Sequence, residues 1–184
     1  MIIISGPSGV GKNTLIERWL AVDNRLRRAI TCTTRPPRPG EQHGRDYFFL
    51  TKDEFDALEA SNSFLDSRKI YDAHYGLSHQ ELARIRSEGF IPIVEVDVVG
   101  GLRIANSVGS ATTIFLRPPN KTELKNRILQ RGAEAQSDIE QRIARSEDEL
   151  KLGNQYQYNI INDGIDDAVA SLMDILEKDA PRTT

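Results

Sequence analysis

The sequence predicts an α/β fold built on a parallel sheet, and three observations carry that expectation. Short, near-continuously apolar runs recur at "MIIIS" (1–5), "IPIVEVD" (91–97), "TTIFLR" (112–117) and "YNIIN" (158–162). Runs of this length and character suit strands buried on both faces. Amphipathic segments with helical spacing lie between and after them. The first run also passes through a glycine-rich loop, "GPSGVGK", directly into one of those segments. Strands alternating with helices in this way imply right-handed βαβ units.

Taken in order, "NTLIERWLAV" places Leu15, Ile16, Trp19 and Leu20 on one helical face. Residues 31–77 break the rhythm. They are turn-rich in "TRPPRPGEQHGRD", then carry the aromatic run "YFFL", a short helix "KDEFDALEA" and "HYGLS". This reads as an excursion holding a small antiparallel piece. Further on, "NKTELKNRILQR" aligns Leu124, Ile128 and Leu129 behind Asn120 as an N-cap. A Ser137/Glu140 capping box opens "SDIEQRIARSEDELKL", and "IDDAVASLMDILEK" closes the folded part. The tail "KDAPRTT" is expected to fray.

Length and composition narrow the classes. With 184 residues, a single domain with small insertions is expected. A net charge of −3 argues against a nucleic-acid binder, which is usually basic. Cys32 is the only cysteine, which excludes an intrachain disulfide or a cysteine-based zinc site and suits a reducing compartment. No apolar stretch approaches the roughly 20 residues of a membrane span. A soluble, cytoplasmic protein without membrane or nucleic-acid partners is expected, its oligomeric state open.

The loop "GPSGVGK" fits G-x-x-x-x-G-K, with Gly6, Pro7, Ser8, Gly9, Val10 and Gly11 leading to Lys12. Between a strand and a helix, this pattern converges backbone N–H groups on phosphate oxygens, and the helix N-terminus adds its dipole. Lys12 supplies a point charge for the terminal phosphates. Asn13 stands where Ser or Thr is expected to ligate magnesium; its carboxamide oxygen can replace that ligand or hold one of the metal's waters. Thr14 keeps a hydroxyl one residue on. In "TTRPPRPGE", two prolines between Arg35 and Arg38 stiffen the loop, so both guanidinium forks suit a dianionic phosphate. Tyr47 and Tyr75 can add phenolic donors. Arg127 and Arg131 are spaced i, i+4, and Arg142 and Arg145 i, i+3, so each pair shares a helical face around the small, polar "GAEAQSD". Arg145 is expected to be a solvent-facing partner of Glu123, Glu134 or Glu140.

The blocks "GPSGVGK", "TTRPPRPGEQHGRDYFF", "FLD…HYG", "EVDVVGG" and "RGAEAQSDIEQRIARSEDEL" resemble the guanylate kinase family in order and spacing over about residues 2–176. The resemblance implies a three-layer P-loop kinase core at about 1–30, 78–130 and 152–178. It also implies an inserted GMP-binding subdomain at about 31–77 and a helical lid at about 131–151. The implied activity is transfer of the ATP γ-phosphoryl group to GMP, and to dGMP, with magnesium as cofactor, in purine nucleotide metabolism. By the same resemblance, Arg35, Arg38, Tyr47 and Tyr75 grip the GMP phosphate. Thr31, Asp66, Glu95 and Asp97 lie at guanine, with Asp97 also reaching the metal's waters. Lys12, Arg127, Arg131 and Arg142 surround the transferred group, and Asn162 sits at adenine. Asp66 is one methylene shorter than the family's glutamate. Leu77 replaces a Ser or Thr that would donate to guanine O6, although Ser78 is adjacent. His74 and Ser67 also depart from the pattern. Two alternatives remain: a related P-loop kinase with another acceptor, such as a different nucleotide or ribose 1,5-bisphosphate, and a weakly active guanylate-kinase-like binding module.

Overall fold

In this computed structural model, residues 1–70, 72–130 and 136–179 are described, with backbone alone at 128, 130 and 136–142. The chain runs β1 (Ile2–Ser5), α1 (Lys12–Val22), β2 (Leu26–Arg28), β3 (Cys32–Thr33), β4 (Phe48–Phe49) and α2 (Lys52–Ala60). It continues through β5 (Phe64–Ile70), β6 (Ala73–Ser78), α3 (His79–Ser87), β7 (Ile91–Glu95), α4 (Val98–Val108) and β8 (Thr112–Arg117). Helices α5 (Lys121–Gln130) and α6 (Gln136–Leu152), strand β9 (Tyr158–Ile161) and α7 (Ile165–Asp179) complete it. The fold is α/β, and it divides into two compact units, 1–24 with 95–184, and 25–94.

The first unit is a βαβ assembly. β1 pairs in parallel with β8, Ile2 opposite Thr112, and β8 pairs in parallel with β9, Ile114 opposite Tyr158. All four β1 residues are buried, as the unbroken apolar run implied. Leu15, Ile16 and Trp19 are the buried face of α1, which packs on α7, while Leu20 is only partly covered. Asn120 caps α5 through its Oδ1, which accepts from Glu123 N at 2.8 Å. Leu124 is buried there, but Leu129 is 43% exposed, so the apolar face of α5 is narrower than its spacing suggested. The Ser137/Glu140 box, the Ile128 side chain and the end of the tail lie outside the described residues.

Helix α4 is amphipathic, with Val98 and Ile104 buried and Leu102 packed on the core, but two adjacent glycines interrupt the pattern. Glycine pairs weaken a helix by about 1 kcal/mol per residue, yet α4 contains both Gly100 and Gly101. Two caps hold it. Asp97 Oδ1 accepts from Gly100 N at 3.0 Å, and Gly109 closes the helix at φ 66°. "IPIVEVD" therefore stops being strand at Glu95, because Asp97 is needed as the cap. Gly101 is required by what lies over it. A Cβ there would sit 2.1 Å from Tyr156 Oη and 2.7 Å from Ser5 Oγ. Tyr156 Oη donates to Val98 O at 2.8 Å, and its ring packs with Val98 and Phe115 in the buried core. Gly101→Ala is expected to destabilise the protein by about 1–3 kcal/mol through overpacking, read as a lower chemical-denaturation midpoint at unchanged m-value.

The second unit holds two pieces. β2 pairs in parallel with β7, Leu26 opposite Ile91. The other piece is a four-stranded sheet of order β4-β3-β6-β5. It is mixed rather than antiparallel, because β3 and β4 run parallel while β3–β6 and β5–β6 are antiparallel. Parallel neighbours need a crossover long enough to return the chain in the same direction, and the turn-rich loop at 34–47 provides it. Phe55 of α2 stacks on Phe64 at 4.6 Å and forms the buried centre. Thr51 and Glu54 form a capping box at the start of α2.

Candidate active site

The glycine loop lies in the first unit, between β1 and α1. Gly9 and Gly11 have φ of 84° and 96°, the left-handed region that a side chain would strain. Val10 is buried and its N donates to Pro7 O at 3.2 Å, which closes the turn. Lys12 Nζ donates to Gly6 O at 2.7 Å and Pro7 O at 3.2 Å, so its charge is held at the loop's own rim. Asn13 and Thr14 are exposed at the start of α1. A cleft of about 490 Å³ opens beside them, lined by Gly9, Gly11, Thr14, Arg127, Asn162 and Asp163. Arg127 reaches it while paired to Glu123 at 2.9 Å, and Nη1 donates to Asn162 O at 3.3 Å. Arg131 lies outside the described residues, and of Arg142 only the helical backbone is described.

Asp97 is fastened twice over. Beyond its own capping bond, Ser5 Oγ donates to Val96 O at 3.0 Å and Asp97 O at 3.3 Å. Glu95, at the end of β7, is partly buried. Sequence reasoning missed Glu149. Its side chain is 13% exposed and paired with Arg145 at 3.2 Å. Burial pushes the Glu149 carboxyl above its ordinary range, against the pull of Arg145 and Lys12 and with the help of Asp97. Glu149 thus belongs to the same charge cluster as Lys12. Arg145 pairs with Glu149 one turn along α6, for which the i, i+4 spacing in "RSEDE" was the readable signal, while Glu134 and the side chain of Glu140 lie outside the described residues.

The second unit carries the arginine loop. Arg35 Nη2 is 2.9 Å from Glu41 Oε1, with side chains 16% and 20% exposed. The other oxygen of Glu41 accepts from Arg38 N at 2.7 Å, and Glu41 N donates back to Arg38 O at 3.0 Å. Glu41 therefore ties both arginine positions into one turn, a role unseen in the sequence although Glu41 ends the quoted motif. Its hydrogen bond with Arg35 holds the carboxyl below, and the guanidinium above, their ordinary ranges. Arg35 also lies 5.4 Å from the Tyr47 ring and interacts with Tyr75, and the two tyrosine rings meet edge to face at 6.1 Å. Four of the expected phosphate-gripping residues are thus on one loop and sheet, with Arg38 the exposed one.

The guanine positions are less uniform. Thr31 is partly buried, and its carbonyl accepts from Phe48 N at 2.9 Å. Asp66 sits beside a β-bulge, directly opposite Leu77. Leu77 is 2% exposed and committed to the core. Ser78 Oγ caps α3 by accepting from Glu81 N at 3.1 Å, a bond that engages a lone pair and not its O–H. Cys32, next along from Thr31, is buried, and its thiol is pushed up to about 11 by that burial and then by Glu81.

Among the described residues, no group of three or more His, Cys, Asp or Glu side chains could hold a metal. Asn13 and Asp97 still offer hard oxygen donors, and one or two such groups suffice for magnesium when substrate phosphates complete its shell. The residues present fit a metal carried in with a nucleotide. No described helix is long and apolar enough to cross a membrane.

A strand of a parallel sheet delivering a glycine loop and a lysine to the start of a helix is the P-loop arrangement of nucleotide-binding proteins. The chain belongs to the guanylate kinase family, whose model, "Guanylate kinase", matches residues 1–179. It is 40% identical to a guanylate kinase of Protochlamydia amoebophila, covering 96% of this chain and 89% of that one. It is 36% identical to a guanylate kinase of Caldanaerobacter subterraneus subsp. tengcongensis, covering 96% and 85%. The crystal structure of guanylate kinase from Anaplasma phagocytophilum superposes with a TM-score of 0.78 at 23% identity, over 100% of this chain and 87% of that one, a likeness of fold.

Proposed function

We propose that this chain transfers the γ-phosphoryl group of ATP to GMP, giving ADP and GDP, with dGMP as a second acceptor. The observation that carries the assignment of residues is the coexistence, in a chain of this family, of an intact glycine loop with Lys12 and a braced Arg35–Arg38 turn. Phosphoryl transfer asks little covalent help from a protein. It requires in-line positioning and neutralisation of charge spreading over the equatorial oxygens. The loop N–H groups and Lys12 hold the triphosphate; Arg127, Arg131 and Arg142 add charge around the transferred group. Arg35, Arg38, Tyr47 and Tyr75 hold the acceptor phosphate, which competes with Glu41 for the Arg35 fork. Thr31, Asp66, Glu95 and Asp97 face the base, and residues 31–77 act as the acceptor-binding subdomain. Magnesium, held by Asp97 and Asn13 together with phosphate oxygens, supplies further neutralisation of phosphate charge. ATP use and a lone buried cysteine favour a cytoplasmic setting.

The test is ADP release measured against a panel of acceptors, including GMP, dGMP, AMP, UMP and ribose 1,5-bisphosphate, each with magnesium and with manganese. GMP is expected to give the highest kcat/KM, and manganese to support turnover alongside magnesium because Asn13 replaces a hydroxyl ligand. A faster reaction with any non-guanine acceptor would overturn the proposal. Neither alternative acceptors nor a binding-module role is favoured by a specific observation.

A further inference from the structure

Asn162 lies one residue past β9 and is 8% exposed. Its backbone is anchored on the sheet, Asn162 N donating to Arg117 O at 2.8 Å. The side-chain Nδ2 donates to Val10 O at 2.7 Å, a buried bond across 152 residues of sequence. Because a carbonyl can only accept, this bond also fixes which way the amide faces. In a trans peptide the C=O and the next N–H point in opposite directions. Pinning the Val10 carbonyl toward Asn162 therefore aims the Gly11 N–H away from it. The fit is close on the other side too. A Cβ on Gly11 would lie 2.7 Å from Asn162 Nδ2, so the glycine is demanded both by its φ of 96° and by the amide packed against it. Finally, Asn162 O accepts from Arg127 Nη1 at 3.3 Å, joining α5 to the same post.

We infer that Asn162 is a positioning residue of the phosphate cradle, setting the direction of the Gly11 N–H and the seat of Arg127 rather than serving only the base. The inference rests on the assignment of Gly6–Lys12 to the triphosphate and deepens it. Without the amide, the Val10 carbonyl is buried without its partner and the peptide is free to rotate. A group that only contacts adenine affects ligands that carry adenine. A group that sets the cradle affects any triphosphate.

The experiment is calorimetric titration of the full chain with ATP and, separately, with inorganic tripolyphosphate, which has no base. Asn162→Ala is expected to weaken both by a similar factor, roughly 10- to 100-fold, the range for an unsatisfied buried polar group. Asn162→Leu, nearly the same size, uncharged and unable to donate to Val10 O, is expected to lose as much; it carries the test if the alanine variant fails to fold. Loss confined to ATP, with tripolyphosphate affinity unchanged in a folded variant, would overturn the inference and leave the cradle intact. Failure of the unsubstituted chain to bind tripolyphosphate would overturn the cradle assignment and the inference with it.

Discussion

Replacing Lys12 with alanine is expected to lower kcat on the order of 10³-fold, the scale of losing one preorganised charge that meets the transferring phosphoryl group. The fold should survive. Lys12 begins α1 rather than filling its core, and its side chain bonds Gly6 O and Pro7 O at the loop's rim. Glu149 sharpens the expectation. With Lys12 gone, one of the two positive charges that oppose its buried carboxylate disappears, so Glu149 moves further toward its neutral form. The loop then loses its cation, and with it the bonds to Gly6 O and Pro7 O. Coupled turnover measurements with thermal unfolding on the same preparation provide the check. A kcat drop of less than about tenfold in a stable variant would show that Lys12 does not meet the transferring group.

Arg35→Ala is expected to raise the KM for GMP by roughly 10²-fold, as two charge-assisted hydrogen bonds to a phosphate are worth about 3 kcal/mol or more together. The KM for ATP should stay within about twofold, since Arg35 and the glycine loop lie in different compact units. Arg35 is the stronger choice over Arg38 because of its surroundings. It is mostly buried, bonded to Glu41, and set against Tyr47 and Phe49. Desolvated charge binds a dianion more strongly than exposed charge. The partner left behind matters as well. Without Arg35, Glu41 keeps its carboxylate beside the acceptor position and repels the incoming phosphate. Steady-state kinetics with each nucleotide varied in turn decide the matter; equal increases in both KM values would sink the assignment of sides.

Much of this molecule could be read along the chain. The βαβ start, the glycine loop between β1 and α1, and the proline-stiffened arginine turn are local patterns. The exceptions have physical causes. β2 is three residues with two arginines, too short to show a period, and it forms because β7 offers a partner. α4 was hidden by Gly100 and Gly101, whose missing side chains answer to Tyr156 and Ser5 far away in the chain. The inserted sheet was expected to be antiparallel, but the length of the loop at 34–47 lets β4 return parallel to β3. Among site residues, Glu41 and Glu149 stood in quoted motifs without an assigned role, because a carboxylate's role depends on which cation it meets.

The glycine loop and the arginine turn were therefore written in short-range spacing. A glycine loop needs neighbours within seven residues or so, and an arginine pair stiffened by proline needs only four. Base recognition and loop geometry were not. Leu77 is buried in the core and Ser78 caps a helix, roles that follow from packing rather than from the motif that contains them. The direction of the Gly11 N–H depends on an amide 152 positions downstream of Val10. No local pattern encodes a hydrogen bond of that span, because it exists only once β8 and β9 have brought the two segments side by side.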